Sequence, residues 1–551
     1  MRRKFEWLAM SVVGACVAAP AGAQVRLDRA DPTITEQALP RPVPAAPIAP
    51  ATVTTLSPPV DAPAVTAVPR VATAIVVDGN HAVSAAAFAD VLVPFLGHDL
   101  TATDLRRLAG AVAGAARQAG YPFATATIGA QEMRGGVLHV TLDEGRIAAV
   151  RIIGAKNALA DRLLTRALVT DGPVRRSTLE RAIMLVGDIP GLVVKDSRYV
   201  RQDGFGILLV TVTEDRAAAY GQVDNRGSAE VGPIRATMLA SYRDAVQAGD
   251  ELGLVVASTP VQPSEFAFVR GRYTAPVGAD GGTLTVSGSF GRANPGGLLK
   301  PLDVIGHSVD AAVAYAHPLI RTRARSLVAG IELRALKSDL TLLGTTLRND
   351  RLSTVTASLG GTTRVGPGTV RGELQLVGGL PLDGVTRQGD RRTSRADGDA
   401  RFATVGYTVE WTAPLADRLS LALASSGQLA SRPLLATAEI GVGGPGFGRA
   451  YDYAERTGDQ GVLGSAEVRL DLGRVSPIVD RCQLYGIVGG GHVDNLRGGV
   501  GGGSLLSGGG GVRLGHGPLD GMIELAFPLN QDRIDTGNRR PRLSFRLSRS
   551  F

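Results

Sequence analysis

The sequence predicts a membrane β-barrel of about 16 antiparallel strands preceded by two small α/β modules, and three observations predict it. Apolar and polar residues alternate with period two through the last three-fifths of the chain. Ahead of that stretch, one order of strand, helix, helix, strand and strand occurs twice in succession. The amino terminus carries an export signal, and no later run of 18 or more apolar residues offers a membrane-spanning helix.

The chain has 551 residues, too many for one ordinary domain. With 71 glycines, 5% aromatic and 20% charged residues it is turn-rich without the composition of a disordered chain. The formal charge of +8 raises nucleic acid as a partner. Lys and Arg are scattered through strand-like segments, however, and form no basic patch interleaved with stacking aromatics, so no nucleic-acid partner is expected.

Arg2, Arg3 and Lys4 precede an apolar stretch from Trp7 to Ala19, and Ala21-Gly22-Ala23 fits a signal-peptidase site. Residues 1–23 read as a signal peptide. Its removal takes Cys16 and leaves Cys482 alone, so no intramolecular disulfide supports the mature fold. Residues 24–70 hold ten prolines, from Pro32 to Pro69, and read as an extended, semi-rigid linker. Its opening piece, Leu27 to Leu39, has room for a short helix.

Residues 71–147 form the first module. Ala74 to Val77 is strand-like, Ala85 to Leu96 and Thr103 to Ala119 have helical spacing, and Phe123–Ile128 and Val137–Leu142 read as a strand pair. Thr101 or Thr103 serves as the cap of the second helix. Residues 148–215 repeat the plan, with helices near Ala158–Leu168 and Arg176–Val186.

The remainder, 216–551, is the barrel. Ile234, Ala236, Met238, Ala240 and Tyr242 alternate with Arg235, Thr237, Leu239, Ser241 and Arg243. Val405, Tyr407, Val409 and Trp411 alternate with Thr404, Gly406, Thr408 and Glu410, and Val468 and Leu470 with Glu467, Arg469 and Asp471. The last strand presents Leu543, Phe545, Leu547 and Phe551 on one side. Arg549 is the exception there, tolerable near a strand end because a long arginine reaches the membrane surface. In a water-soluble sandwich the charged face would meet solvent; in a barrel it lines a lumen. The alternation alone does not choose. An exported chain of alternating strands can enter a bilayer as a closed barrel, because closure leaves no backbone group unpaired in lipid. At about 10 residues per membrane strand, roughly 16 strands fit the span.

Gly120-Tyr121-Pro122-Phe123-Ala124-Thr125-Ala126, with Gln131, Gly136, Val137-Leu138 and Glu144-Gly145-Arg146-Ile147, resembles the first polypeptide-transport-associated (POTRA) domain of two-partner secretion transporters, the ShlB/FhaC/HecB family. Leu179-Glu180-Arg181-Ala182 and Asp188-Ile189-Pro190-Gly191-Leu192 resemble the second POTRA domain, and Asp224-Asn225-Arg226-Gly227 with Gly249-Asp250 the first barrel hairpin. Gly448-Arg449-Ala450-Tyr451 resembles the arginine-bearing tip of the family's long sixth loop, with Gly458-Asp459 and Gly461 following. The resemblance covers residues 71 to 551. It implies that the loop folds back into the barrel and that Arg449 pairs with an acid on the inner wall. The family's aspartate on the next strand is replaced here by Gly489, so Glu467 on the neighbouring polar face is the expected partner. A plug helix ahead of the linker is a family feature; Leu27–Leu39 is short and holds Pro32, which argues against it here.

The sequence holds no His-Glu-x-x-His pair, phosphate loop, Gly-x-Ser-x-Gly turn or paired-cysteine site. Neither an enzyme, nor a metal, nor a cofactor is expected. The 7 histidines are scattered. The glycines at 498–503 and 508–511 read as loop or as small-residue barrel wall. The resemblance implies an outer-membrane transporter with its modules in the periplasm, which captures an unfolded, haemolysin- or haemagglutinin-like partner exoprotein and passes it through the barrel. Outer-membrane lipid and the barrel assembly machinery are the further partners. An outer-membrane assembly factor and a passive porin are the alternatives.

Overall fold

A computed structural model describes residues 27–28, 30–39, 54–55, 71–202 and 205–551. The signal segment and most of the Pro-rich tract lie outside the described residues. The first element is a short helix, α1 (Pro32–Gln37), and Thr54–Thr55 forms a two-residue strand, β1.

In the first module β2 (Ala74–Asp78) runs parallel to β4 (Val137–Asp143), which pairs antiparallel with β3 (Thr125–Thr127). The expected helix over 85–96 is three short pieces: 3₁₀ turns at Ala85–Phe88 and Val93–Phe95 flank α2 (Ala89–Leu92). Pro94 has no N–H to continue the ladder there. The longer helix, α3 (Ala102–Gln118), starts where Thr101 caps it. Thr101 Oγ1 accepts from Asp104 N at 3.2 Å, and the Asp104 carboxylate accepts from Thr101 N at 3.1 Å. Leu105, Leu108 and Val112 of α3 pack on Leu138 and Val140.

The second module has β5 (Ala149–Gly154), α4 (Ala158–Leu168), α5 (Arg176–Gly187), β6 (Leu192–Gln202) and β7 (Phe205–Glu214). Its sheet order is β1-β6-β7-β5. The two modules repeat one detail of backbone. Gly79 just past the first strand of one module and Gly154 at the end of that of the other have φ +90° and +97°, where a Cβ would strike the carbonyl of Leu142 or of Val212.

The barrel closes through β8 (Ala217–Asp224), β9 (Arg235–Arg243), β10 (Glu251–Ser258), β11 (Phe266–Val277), β12 (Gly282–Ala293), β13 (Val304–Arg321), β14 (Arg325–Leu342), β15 (Thr345–Val365), β16 (Gly368–Gly379), β17 (Ala403–Ala416) and β18 (Leu419–Ala430). A side hairpin of β19 (Ile440–Val442) and β20 (Arg456–Gly458) intervenes. The wall resumes with β21 (Gln460–Gly473), β22 (Arg481–Asp494), β23 (Gly503–His516), β24 (Leu519–Pro528) and β25 (Arg542–Ser550), and β25 pairs with β8. Sixteen antiparallel strands therefore form one closed wall. The apolar side of the alternation faces outward: Met238, Leu333, Leu543 and Leu547 are exposed, whereas Arg235, Thr237, Arg542 and Ser544 are buried inside. Arg549 lies outward and stacks over the Phe551 ring at 4.7 Å. No helix among the described residues is long and apolar enough to cross a membrane.

Contrary to the expectation from its sequence, Pro32 starts a luminal helix and does not prevent one. Pro32 occupies the first helical turn of α1, where its missing N–H costs nothing, and Asp31 caps the helix by accepting from Thr33 N at 2.9 Å. α1 lies against β11, β12 and β13. Asp31 accepts from Ser338 at 2.7 Å, Asp28 pairs with Arg348, and Glu36 pairs with Arg270. Gly291 and Gly306 leave room for its backbone, since a Cβ there would meet Pro32 or Ala30.

The second module sits on the periplasmic turns. Asp188 pairs with Arg321, at 2.6 Å from Nε, and Arg181 donates to the Pro318 carbonyl at 2.8 Å. Gly249 (φ +83°) packs under Leu159 where a Cβ would not fit.

Candidate functional site

The sixth loop, residues 431–459, climbs as the β19–β20 hairpin and then turns its tip down into the lumen. Gly443, at φ +115° and with no room for a Cβ beside the Asp452 carbonyl, makes that reversal. Tyr451 is fully buried at the tip, where its hydroxyl donates to the Gln531 carbonyl at 3.0 Å. Val442, Ala450, Leu463, Val493 and Leu505 pack around it.

Arg449 reaches the wall beside it. Its Nη2 donates to Glu467 Oε2 at 2.9 Å and its Nη1 to Glu524 Oε2 at 2.6 Å. The Tyr485 ring lies 5.7 Å from the guanidinium. Each acid holds further cations. Glu467 Oε1 accepts from Arg469 Nε at 2.6 Å and from Arg513 Nη2 at 2.8 Å. Glu524, fully buried, also pairs with Arg226 of the first loop and accepts from the Tyr485 hydroxyl at 2.8 Å. Arg226 Nη1 donates to the Arg449 carbonyl at 3.4 Å, and Asp452 pairs with Arg542. The tip is thus tied to β21, β24 and β25 by buried charge pairs, which leave uncompensated charge if a member is removed, and to the first loop by the Arg226 bond to the Arg449 carbonyl.

Of the three residues singled out in sequence, Arg449 pairs with Glu467 of β21, and Tyr451 is buried at the tip against β23 and the loop that follows β24. Sequence reasoning missed Glu524. Its signal was present, because Glu524 falls on the polar face of a strand whose other face holds Ile523, Leu525 and Phe527. What hid it is register: Glu524 stands opposite Gly511, which stands opposite Tyr485. Gly511 puts no side chain between them, and a Cβ there would lie 2.8 Å from the Tyr485 hydroxyl. The glycines at 508–511 are barrel wall, within β23, and those at 498–502 lie in the seventh loop. At Gly489 a Cβ would meet Ser465 Cβ at 2.8 Å, so the wall is closed to a larger residue there.

A second buried arginine binds the loops outside the barrel. Arg395 of the fifth loop (380–402) donates to Asp459 at 2.8 Å and Glu439 at 3.2 Å in the sixth loop. It also donates to Asn495 at 2.9 Å and to the Leu496 carbonyl at 2.7 Å in the seventh. Burial pushes the Glu439 carboxyl up to about 7, against the lowering effect of Thr457 and Arg395. Among the described residues no three His, Cys, Asp or Glu side chains are grouped to hold a metal ion.

A closed outward-apolar barrel with an internal charge network, carrying α/β modules at one end, defines an outer-membrane β-barrel transporter with periplasmic modules. Residues 206–514, more than half of the chain, match the family of haemolysin secretion/activation proteins ShlB/FhaC/HecB, and residues 71–145 match the ShlB-type POTRA domain. The chain belongs to this family of two-partner secretion transporters. It is 22% identical over 400 residues to the heme/hemopexin transporter protein HuxB of Haemophilus influenzae (strain 86-028NP), covering 71% of this chain and 70% of that one. The fold is similar to CdiB from Escherichia coli, with a TM-score of 0.71 at 16% identity over 90% of this chain and 93% of that one. It is also similar to CdiB from Acinetobacter baumannii, at 0.63 and 16% over 96% and 99%. BamA from Haemophilus ducreyi lacking POTRA domains 1–3 gives 0.53 at 13% over 88% and 100%. The protein resides in the outer membrane with its POTRA region in the periplasm, and proteins of its family export a partner exoprotein.

Proposed function

We propose that this transporter captures its unfolded exoprotein by strand addition to the POTRA sheets and passes it through the barrel once α1 and the sixth-loop tip withdraw. The observation that carries this reading is that both lie across the lumen and are held there by charges and hydrogen bonds, a closure that breaks without unfolding the wall. β2, β3 and β5 pair on one side only, so their free edges offer the backbone donors and acceptors that an extended segment uses. The Arg449 network is the resting anchor of the tip. No step in this reading calls for bond chemistry, so the chain acts as a conduit, without catalysis or cofactor. Net movement follows from folding of the exoprotein outside, which removes it from the return path.

The domain limits proposed are a signal at 1–23, a linker at 24–70, POTRA domains at 71–147 and 148–215 and the barrel at 216–551. The test is a comparison of secreted proteins between a strain lacking the gene and its parent. Loss of one large exoprotein, restored by the wild-type gene, supports the reading; a general fall in outer-membrane proteins supports an assembly factor, the reading that the fold likeness to BamA keeps in view.

A further inference from the structure

On one flank of the barrel the outward residues change from apolar to cationic toward the extracellular end. Register joins Val313, Leu333 and Val355 across β13, β14 and β15, and Leu333 is 54% exposed to lipid. Two residues further comes the row Ala311–Ala335–Ser353, and two further again Val309–Lys337–Arg351. Between these rows Leu336 and Leu352 turn inward, where Leu352 is buried with Val385, Phe402 and Leu434. Alternation therefore fixes Lys337 and Arg351 outward.

Two cations directly opposite one another on neighbouring strands repel. Asp339 serves Lys337, at 2.6 Å, while Arg351 Nε donates only to the neutral Asn349, at 3.2 Å. The fifth loop adds to the imbalance. Its backbone follows β15 past the end of β16: Thr386 N donates to the Arg351 carbonyl at 3.0 Å and Asn349 N to the Arg392 carbonyl at 2.7 Å. Arg387, Arg391 and Arg392 are exposed, and among the described residues none of them has an acidic side chain as partner. The nearby Asp390 carboxylate accepts the backbone N–H of Arg387 at 2.9 Å.

From this arrangement we infer that Lys337 and Arg351, with Arg387, Arg391 and Arg392 of the fifth loop, bind the phosphorylated headgroup of an outer-leaflet lipid. Forked guanidinium groups match phosphate oxygens in geometry and charge. Continuity with the lipid-facing wall selects a lipid over a soluble anion. Acyl chains lying on Ile331, Leu333 and Val309 place a headgroup at the cationic row, and these three side chains are about half exposed. The cluster offers no buried aromatic pocket of the kind that anchors a protein partner. The site is independent of the exoprotein and of the luminal closure.

The test uses the full-length transporter in detergent micelles doped with diphosphorylated lipid A or with the same lipid enzymatically dephosphorylated, and reads lipid retained by native mass spectrometry. At about 1 kcal/mol per cation near a charged surface, Lys337→Gln with Arg351→Gln weakens retention of the phosphorylated lipid by roughly 30-fold. Lys337→Arg with Arg351→Lys retains it, and wild type prefers the phosphorylated lipid. Equal retention of both lipids by wild type overturns the inference, and that comparison needs no variant to fold. Full displacement of the lipid by millimolar inorganic phosphate also overturns it, because the site is then one for a free anion. Unchanged retention in the double Gln variant, with the folded barrel verified by its heat-shifted gel mobility, overturns it as well.

Discussion

At the scale of single residues, the lumen network turns on how many cations each acid serves. Glu467 meets three arginines and Glu524 meets two plus a tyrosine hydroxyl. Replacing Glu524 with glutamine keeps the shape but strands Arg226 in a buried site and leaves Arg449 with Glu467 alone, a loss of about 3–5 kcal/mol by analogy with other broken buried pairs. Planar bilayer recordings of Glu524→Gln should show longer and more frequent open events than wild type; an unchanged closed state would remove Glu524 from the anchor. Charge reversal gives a sharper result. Arg449→Glu combined with Glu467→Arg should fail to restore a secretion defect, because Arg469 and Arg513 still demand an acid at 467. Full rescue by that pair would show that the Arg449–Glu467 contact stands alone. Arg449 was legible in sequence because it belongs to a short local motif, and Glu467 because alternation puts it on the polar face of the next strand. Glu524 was not, since its partnership depends on the register of three strands and on the empty side of Gly511.

Among the elements, helix starts and loop closures follow local chemistry more closely than periodicity alone suggests. The capping box at Thr101 was readable to within one turn, and its loss in Thr101→Ala should cost about 1 kcal/mol, seen as a lower melting midpoint of the POTRA region. The luminal helix α1 is hard to read in sequence because proline breaks a helix interior but starts a helix at N1, where Pro32 stands. The Arg395 clasp was invisible in sequence, because Asp397 is its neighbour in the chain but Glu439, Asp459 and Asn495 come from loops more than 40 residues away. Its acid predicts a pH dependence. The Glu439 carboxyl is raised from an ordinary 4.5 to about 7, so the folded loops bind a proton between these values that the unfolded loops release. That stability is present at low pH and is lost as pH rises through about 7. Protection factors for hydrogen exchange at residues 436–459, with the intrinsic pH dependence of amide exchange divided out, should therefore be higher at pH 6 than at pH 8, with the groups facing Glu439, namely Thr457, Asp28, Arg395 and Asp459, left unaltered. Glu439→Gln should remove the difference; a difference that persists would place the titration elsewhere.

For the whole molecule, the strand total was within reach of arithmetic on chain length, while the placement of the POTRA modules on the barrel was not. The motifs Leu179–Ala182 and Asp188–Leu192 carry family resemblance in sequence, yet their charged members act as a joint: Arg181 and Asp188 hold the periplasmic end of β13. Gly249 and Gly281 show the same joint from the barrel side, since Leu159 and Leu185 occupy the space that a Cβ would need. The joint fixes where the free edge of β5 stands relative to the lumen, so it matters for handing over an exoprotein even though it touches neither the pore nor the anchor. Asp188 is partly exposed, and a pair of that kind is worth about 1 kcal/mol or less, so Asp188→Ala alone should change little. Asp188→Arg with Gly249→Leu adds repulsion from Arg321 and a steric wedge under α4. Spin labels on α4 and on a periplasmic turn should then report a broad distance distribution in place of a narrow one, while the barrel keeps its heat-shifted gel mobility. A distribution as narrow as in wild type would mean that the second module is held by contacts other than these, and that the family motif at 188–192 serves the module's own fold.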